Sequence, residues 1–221
     1  PRPAIAVTAA LLAGVLIATP AAAARLDRIV ETVPAVAGRP VHVRVTVGRV
    51  EVRAEERADI SIAIEREVPD ALSPQALPVR IEPEADALRI SALQPGEQRD
   101  ATLVARVVVA MPSDTPLLVE VAEGDCVVSG TRGALQVTID RGAATLRQVT
   151  GVVRVETRTG DILVEGAELP PTGLLRARTL SGDVTIDFAQ RPPDARILLL
   201  ALSGRVQSSL PLEERGGPGR R

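Results

Sequence analysis

Glycine stands at positions 124, 133, 142, 151 and 160, nine residues apart each time. Two steps make a unit of eighteen, and the apolar residues repeat at that longer interval. Val119, Val137 and Val155 align, as do Val128, Leu146 and Val164. A period this regular restricts the chain to stacked architectures, in which each unit buries its apolar face only against the units beside it.

Within a unit the apolar residues alternate, which is the signature of a strand with one buried face. The first triplets are Leu117/Val119/Val121, Leu135/Val137/Ile139 and Val153/Val155/Thr157. Gly173 and Gly182 frame Leu175, Ala177 and Thr179, and Ala195 and Gly204 frame Ile197, Leu199 and Ala201. Shorter pairs follow each second glycine: Cys126/Val128, Ala144/Leu146, Ile162/Val164, Val184/Ile186 and Val206/Ser208. Successive side chains on a strand point to opposite faces, so these residues are predicted to line the interior. Thr185, Arg154, Glu156, Arg176 and Arg178 are predicted to face out.

The fold class is therefore all-β: a parallel β-helix, or β-solenoid, of about five coils, right-handed by the general crossover preference. Gly124, Gly133, Gly142, Gly151, Gly160, Gly173, Gly182 and Gly204 are its predicted corners, because a tight corner asks for backbone angles that glycine adopts without penalty. The repeat then widens from eighteen to twenty-two residues. The extra four fall at Leu169-Pro170-Pro171-Thr172 and Arg191-Pro192-Pro193-Asp194, a corner that faces solvent and tolerates insertion.

Upstream, Val41, Val43, Val45 and Val47 alternate strictly, Gly48 interrupts them, and Val50 and Val52 resume, followed by Ile60, Ile62 and Ile64. Strands are also predicted at Val79-Ile81, Leu88-Ile90 and Leu103 to Val109. Ala4 to Thr19 is apolar, with Arg2 before it and Pro20-Ala21-Ala22-Ala23-Ala24 after it, the layout of a secretion signal cleaved after Ala24. The run is short for a membrane span, and no cysteine follows the cleavage point to carry a lipid. The expected organisation is a signal at 1–24, a β annex at 25–112 capping the stack, the solenoid at 113–210 and a Gly/Arg tail at 211–221. The mature chain is expected to have no membrane span and to reside in the periplasm or at the cell surface.

Composition removes several function classes. The chain has one Cys, one His, one Phe, and neither Trp nor Tyr. A cysteine-clustered metal site, an intrachain disulfide and a histidine-based centre are excluded or improbable on those counts. Net charge is −2, with both signs interspersed and no aromatic ring to stack on a base, so nucleic acid is not an expected partner. No cofactor is expected.

The later coils read Thr159-Gly160-Asp161-Ile162, Ser181-Gly182-Asp183-Val184 and Ser203-Gly204-Arg205-Val206, and upstream stands Gly48-Arg49-Val50-Glu51-Val52. Over roughly residues 35 to 210 this resembles a family of exported bacterial proteins known as "putative adhesins", a domain of unknown function with repeated Ser-Gly-Asp-Val coils. The resemblance implies a β-solenoid on an exported protein and brings no catalytic residues. Gly142-Ala143 and Gly204-Arg205 depart from the pattern by lacking the Asp. Members of the family run on into one more Gly-rich coil, so an uncapped edge is expected where this sequence passes into Gly216-Gly217-Pro218-Gly219.

Asp125, Asp161 and Asp183 follow corner glycines and are candidates for a carboxylate column offering hard oxygen ligands to Ca²⁺. The competing reading is turn chemistry, in which Asp bonds its own backbone; it is favoured because Ala143 interrupts the column. Cys126 shares an inward slot with Ala144, Ile162 and Val184, which favours a core thiol over a reactive one. His42 alternates with Val41 and Val43 and is expected to face out. Three functions remain open. The first is a non-catalytic surface, scaffold or adhesion-type module whose partner is an envelope or surface protein or a glycan. The second is a periplasmic partner in envelope sensing or assembly. The third, least favoured for want of aromatic sugar platforms, is a polysaccharide-acting enzyme. The widened Pro-Pro corners are the first place to look for a partner.

Overall fold

The computed structural model describes residues 24–69, 77–94 and 103–211. The predicted signal and tail fall outside them, save for Ala24 and Pro211. The described residues hold no helix, as the lack of any helical period predicts. The strands are β1 (Ala24–Pro34), β2 (Val41–Glu55), β3 (Asp59–Pro69), β4 (Val79–Pro83), β5 (Leu88–Ala92) and β6 (Val104–Pro112). The repeat follows as long and short strands in turn: β7 (Leu117–Glu123), β8 (Cys126–Ser129), β9 (Leu135–Arg141), β10 (Ala144–Arg147), β11 (Val152–Thr159), β12 (Ile162–Ala167), β13 (Leu174–Ser181), β14 (Val184–Phe188), β15 (Arg196–Ser203) and β16 (Val206–Ser208).

The long strands form one parallel ladder, β7-β9-β11-β13-β15, and the short strands a second, β8-β10-β12-β14-β16. Each coil crosses from the first to the second at a glycine corner. These are the five predicted coils of a parallel β-helix. The stack continues beneath them. Val41 to Val47 of β2 pair in parallel with β7 on one side and β5 on the other, while Gly48 to Glu55 pair in parallel with β8 and β6. β2 is thus a coil in its own right, bent at Gly48, lying between β5/β6 and β7/β8. The parallel stack stops at β5/β6, where antiparallel strands take over: β3 on β6, β1 on β3, and β4 on β5.

Register carries the sequence period into packing. Val52, Val128, Leu146, Val164 and Ile186 stand directly above one another. So do Val43, Val119, Val137, Val155, Ala177 and Leu199. All but Leu199 are sealed from solvent. Burying one such side chain stabilises the fold by about 1.5–3 kcal/mol, and the ladder repeats that gain at each coil. A slip along the strand by one residue would turn every aliphatic side chain outward.

The first glycine corner is a column of its own: Gly48, Gly124, Gly142, Gly160, Gly182 and Gly204 all have positive φ. A β-carbon at Gly142 would collide with the carbonyl oxygen of Gly124, and one at Gly124 with that of Gly48. The requirement is thus as much close approach between coils as corner angle. Of the three predicted glycines at the opposite corner, Gly151 has positive φ and Gly133 and Gly173 do not; a β-carbon at Gly133 would sit 2.7 Å from the Asp114 oxygen, and one at Gly173 2.9 Å from that of Pro170.

The widened corner is a reverse turn. The Gly173 N–H donates to the Pro170 carbonyl at 2.8 Å, with Pro171 and Thr172 between them. Thr172 has φ +70°, the left-handed angle that a β-branched side chain resists. Thr172→Gly is therefore expected to stabilise the protein by about 1 kcal/mol, relief of that strain exceeding the added chain entropy. An unchanged or lowered urea midpoint would contradict the strain assignment.

Candidate functional site

The corner aspartates fasten neighbouring coils. Asp125 accepts the Ala143 N–H at 3.0 Å, Asp161 accepts the Asp183 N–H at 2.8 Å, and Asp183 accepts the Arg205 N–H at 2.8 Å. The bond runs to the next coil, eighteen or twenty-two residues on, rather than to the aspartate's own backbone as a lone turn would have it. The other Asp125 and Asp183 oxygens meet the guanidiniums of Arg49 and Arg205, each at 3.2 Å. Ala143 leaves its rung without a carboxylate, so Asp125 stands apart from the Asp161–Asp183 pair. Among the described residues no group of three or more His, Cys, Asp or Glu is arranged to hold a metal ion. Inside the same corner, the hydroxyls of Thr157 and Thr179 both donate to the Gly160 carbonyl at 3.0 Å, which explains two buried polar residues on otherwise aliphatic ladders.

The Arg205 N–H and guanidinium hold the Asp183 carboxyl below its ordinary range. A carboxyl with a depressed folded pKa adds stability above its unfolded pKa of about 4 and loses that contribution as pH falls through the lower folded value. The stability gap between wild type and Asp183→Asn is therefore expected to hold from neutral pH down to the unfolded pKa of about 4 and to narrow as pH falls below it. A gap that stays constant below that pH would remove the charge from the account.

Cys126 is fully buried, as its slot predicts, and burial pushes its thiol up to about 12. A thiol reagent is expected to label native protein at least 100-fold more slowly than unfolded protein, since the thiolate is the reactive form. His42 is half-buried on β2, between Arg89 of β5 and Leu118 of β7.

The outward face of the long-strand sheet holds the concave surface. Two columns run up it: His42, Leu118, Gln136, Arg154, Arg176, Leu198, and Arg44, Glu120, Thr138, Glu156, Arg178, Leu200. Arg154, Glu156, Arg176 and Arg178 are there as predicted. Arg176 pairs with Glu156 at 3.5 Å, Arg158 with Asp140 at 3.8 Å, and Arg44 with Glu120. Two depressions adjoin on this face and share Thr138 and Asp140. One, of about 330 Å³, lies among Arg44, Glu120, Leu93 and Gln94; the other, of about 200 Å³, lies among Glu156, Arg158, Arg178 and Leu180. Sequence reading named only the β11 and β13 members. Arg44, Glu120, Thr138 and Asp140 sit at the same alternating positions, and extending the column by register would have found them. The widened Pro-Pro corners lie away from both depressions; Pro170, Pro171 and Pro193 are exposed.

No protein-family model and no curated protein matches the chain. Among solved structures it is similar to a putative cell adhesion protein from Clostridium sporogenes, with a TM-score of 0.52 at 10% identity, over 83% of this chain and 99% of that one. The two share a fold. A putative adhesin from Parabacteroides merdae matches at 12% identity over 83% of this chain and 96% of its own, and one from Bacteroides fragilis at 12% over 82% and 97%. Both have TM-scores of 0.24 and add nothing on the fold. The name of the Clostridium structure agrees with the family that the Ser-Gly-Asp-Val coils resemble. Among the described residues no helix is long and apolar enough to cross a membrane.

Proposed function

We propose that the chain is an exported, non-catalytic β-solenoid acting as an adhesin-like binding or scaffold module. Its contact surface is the outward face of the long-strand sheet, and its partner is another envelope or surface protein, or a glycan. The observation that carries this reading is the pair of adjoining depressions, bordered by Arg44, Glu120, Asp140, Glu156, Arg158 and Arg178. Their backing is rigid, because the strands that bear those residues are each hydrogen-bonded on both sides, and a preorganised surface loses little entropy on binding. The N-terminal secretion pattern and the name of the Clostridium structure support export to the periplasm or beyond. The corner aspartates, occupied with backbone N–H groups, serve cohesion rather than acid–base chemistry.

The test is crosslinking in the native envelope with wild type and with Arg158→Glu/Arg178→Glu. The double variant is expected to lose the captured species and to stay folded with a modestly lowered thermal midpoint, since it opposes Glu156 with a second carboxylate and breaks the Arg158–Asp140 pair, effects of about 0.2–1 kcal/mol each. Equal capture would move the contact surface elsewhere. Turnover of a polyuronate that vanishes in Asp161→Asn or Asp183→Asn would replace this reading with an enzyme.

A further inference from the structure

Leu198, Leu200 and Leu202 point outward from β15 and are 55%, 43% and 72% exposed. At the corresponding positions one coil down stand Arg176 and Arg178, and below those Arg154 and Glu156. In the last described coil Leu198 and Leu200 replace charges, and Leu202 stands over Leu180. Among the described residues β15 is also the last strand of its ladder. The Arg196 N–H donates to Gly173 of β13, so alternation turns the N–H and C=O groups of Ile197, Leu199 and Ala201 toward the open edge. An unpaired edge with an apolar face is a template for another strand.

We infer that β15 is a self-association edge, on which a second copy of this chain pairs antiparallel about a two-fold axis through Leu200. The pairing is consistent at each level. Leu199 meets Ala201 of the other copy through the free N–H and C=O groups. Leu200 then faces its own counterpart, and Leu198 faces Leu202, at the sites between hydrogen-bonded pairs where side chains approach most closely. Six leucines join into one patch on one face of a continuous sheet. Arg196 falls opposite Gly204 and Arg205 opposite Ala195, so no two arginines are directly opposed, and each Arg205 is held by its own Asp183 at 3.2 Å.

The alternative fits less well. Among the described residues the strand at the other end of this ladder is β4, which carries exposed Arg80 and Glu82. Head-to-tail stacking would set leucines against those charges.

The chain is expected to sediment as a monomer–dimer equilibrium in the micromolar range. Leu200→Glu sets two carboxylates face to face and is expected to weaken the dimer by roughly 100-fold, with circular dichroism and thermal midpoint unchanged. Leu200→Cys is the decisive variant. Directly opposed residues at such a site have Cα atoms about 4.5 Å apart, within the disulfide range of roughly 4.4–6.8 Å. Mild oxidation is expected to link Leu200→Cys into a covalent dimer and to leave Leu198→Cys alone unlinked. A mixture of Leu198→Cys and Leu202→Cys links. The native thiol, Cys126, is buried and does not interfere. A monomer up to about 1 mM, a Leu200→Cys that stays unlinked, or a ladder of higher oligomers in place of a dimer would overturn the inference.

Discussion

Gly142→Val is expected to cost about 3–5 kcal/mol, read as a fall in urea midpoint. Two penalties combine. Gly142 has φ +137°, where a β-branched residue is strained by about 1–3 kcal/mol. Its new β-carbon would also be driven into the Gly124 carbonyl oxygen, and relieving an overpacked contact costs about 1–3 kcal/mol. That oxygen cannot step aside alone, because the Gly124 and Gly142 amides are both tied to the coil above, to Arg141 and Thr159 at 2.8 and 2.9 Å. Gly38 supplies the control: its φ is +76° and nothing lies within 4 Å of a β-carbon there. Gly38→Ala should show the angular penalty alone, about 1 kcal/mol. Similar costs at the two positions would mean that close approach between coils is not what excludes a side chain.

Leu146→Ala is expected to cost about 3–4 kcal/mol, toward the upper part of the range for a buried leucine. Leu146 is fully buried, with Val128 below it and Val164 above. A cavity at this rung cannot close, since β10 is held by backbone bonds to both neighbours. Leu199→Ala, on the half-covered last coil, should cost less than about half as much. Equal losses would show that the interior relaxes freely along the stack.

How much of this could be read in advance depends on what each residue answers to. The aliphatic ladders and the glycine column respond to strict local demands, an inward slot and a missing Cβ, and both recur at fixed intervals. Those were legible from Val119, Val137, Val155 and Gly124, Gly142, Gly160 alone. The place of β2 was not. Gly48-Arg49-Val50-Glu51-Val52 has the pattern of a coil, but its partners in β6 and β8 lie 57 and 76 residues away in sequence (105−48 and 126−50), beyond the reach of an eighteen-residue period. The corner aspartates were visible as a column, while the direction of their bonds, upward to the next coil, depends on the spacing between coils. On the outward face, Glu156 and Arg178 were found because they flank obvious core triplets. Nothing in the local sequence of Asp140 and Arg44 marks a concavity made by several strands together.

The interleaving of β2 gives the molecule unequal ends under load. From Leu135 onward each coil pairs with the one laid down before it, so a pull on the C-terminal end peels coils in turn, each of the later ones releasing roughly 75 Å of chain. A pull on the N-terminal side meets β2, which is gripped by β5, β6, β7 and β8 together and yields only when both halves of the stack let go. An anchored solenoid of this design would pay out length from one end and hold fast at the other.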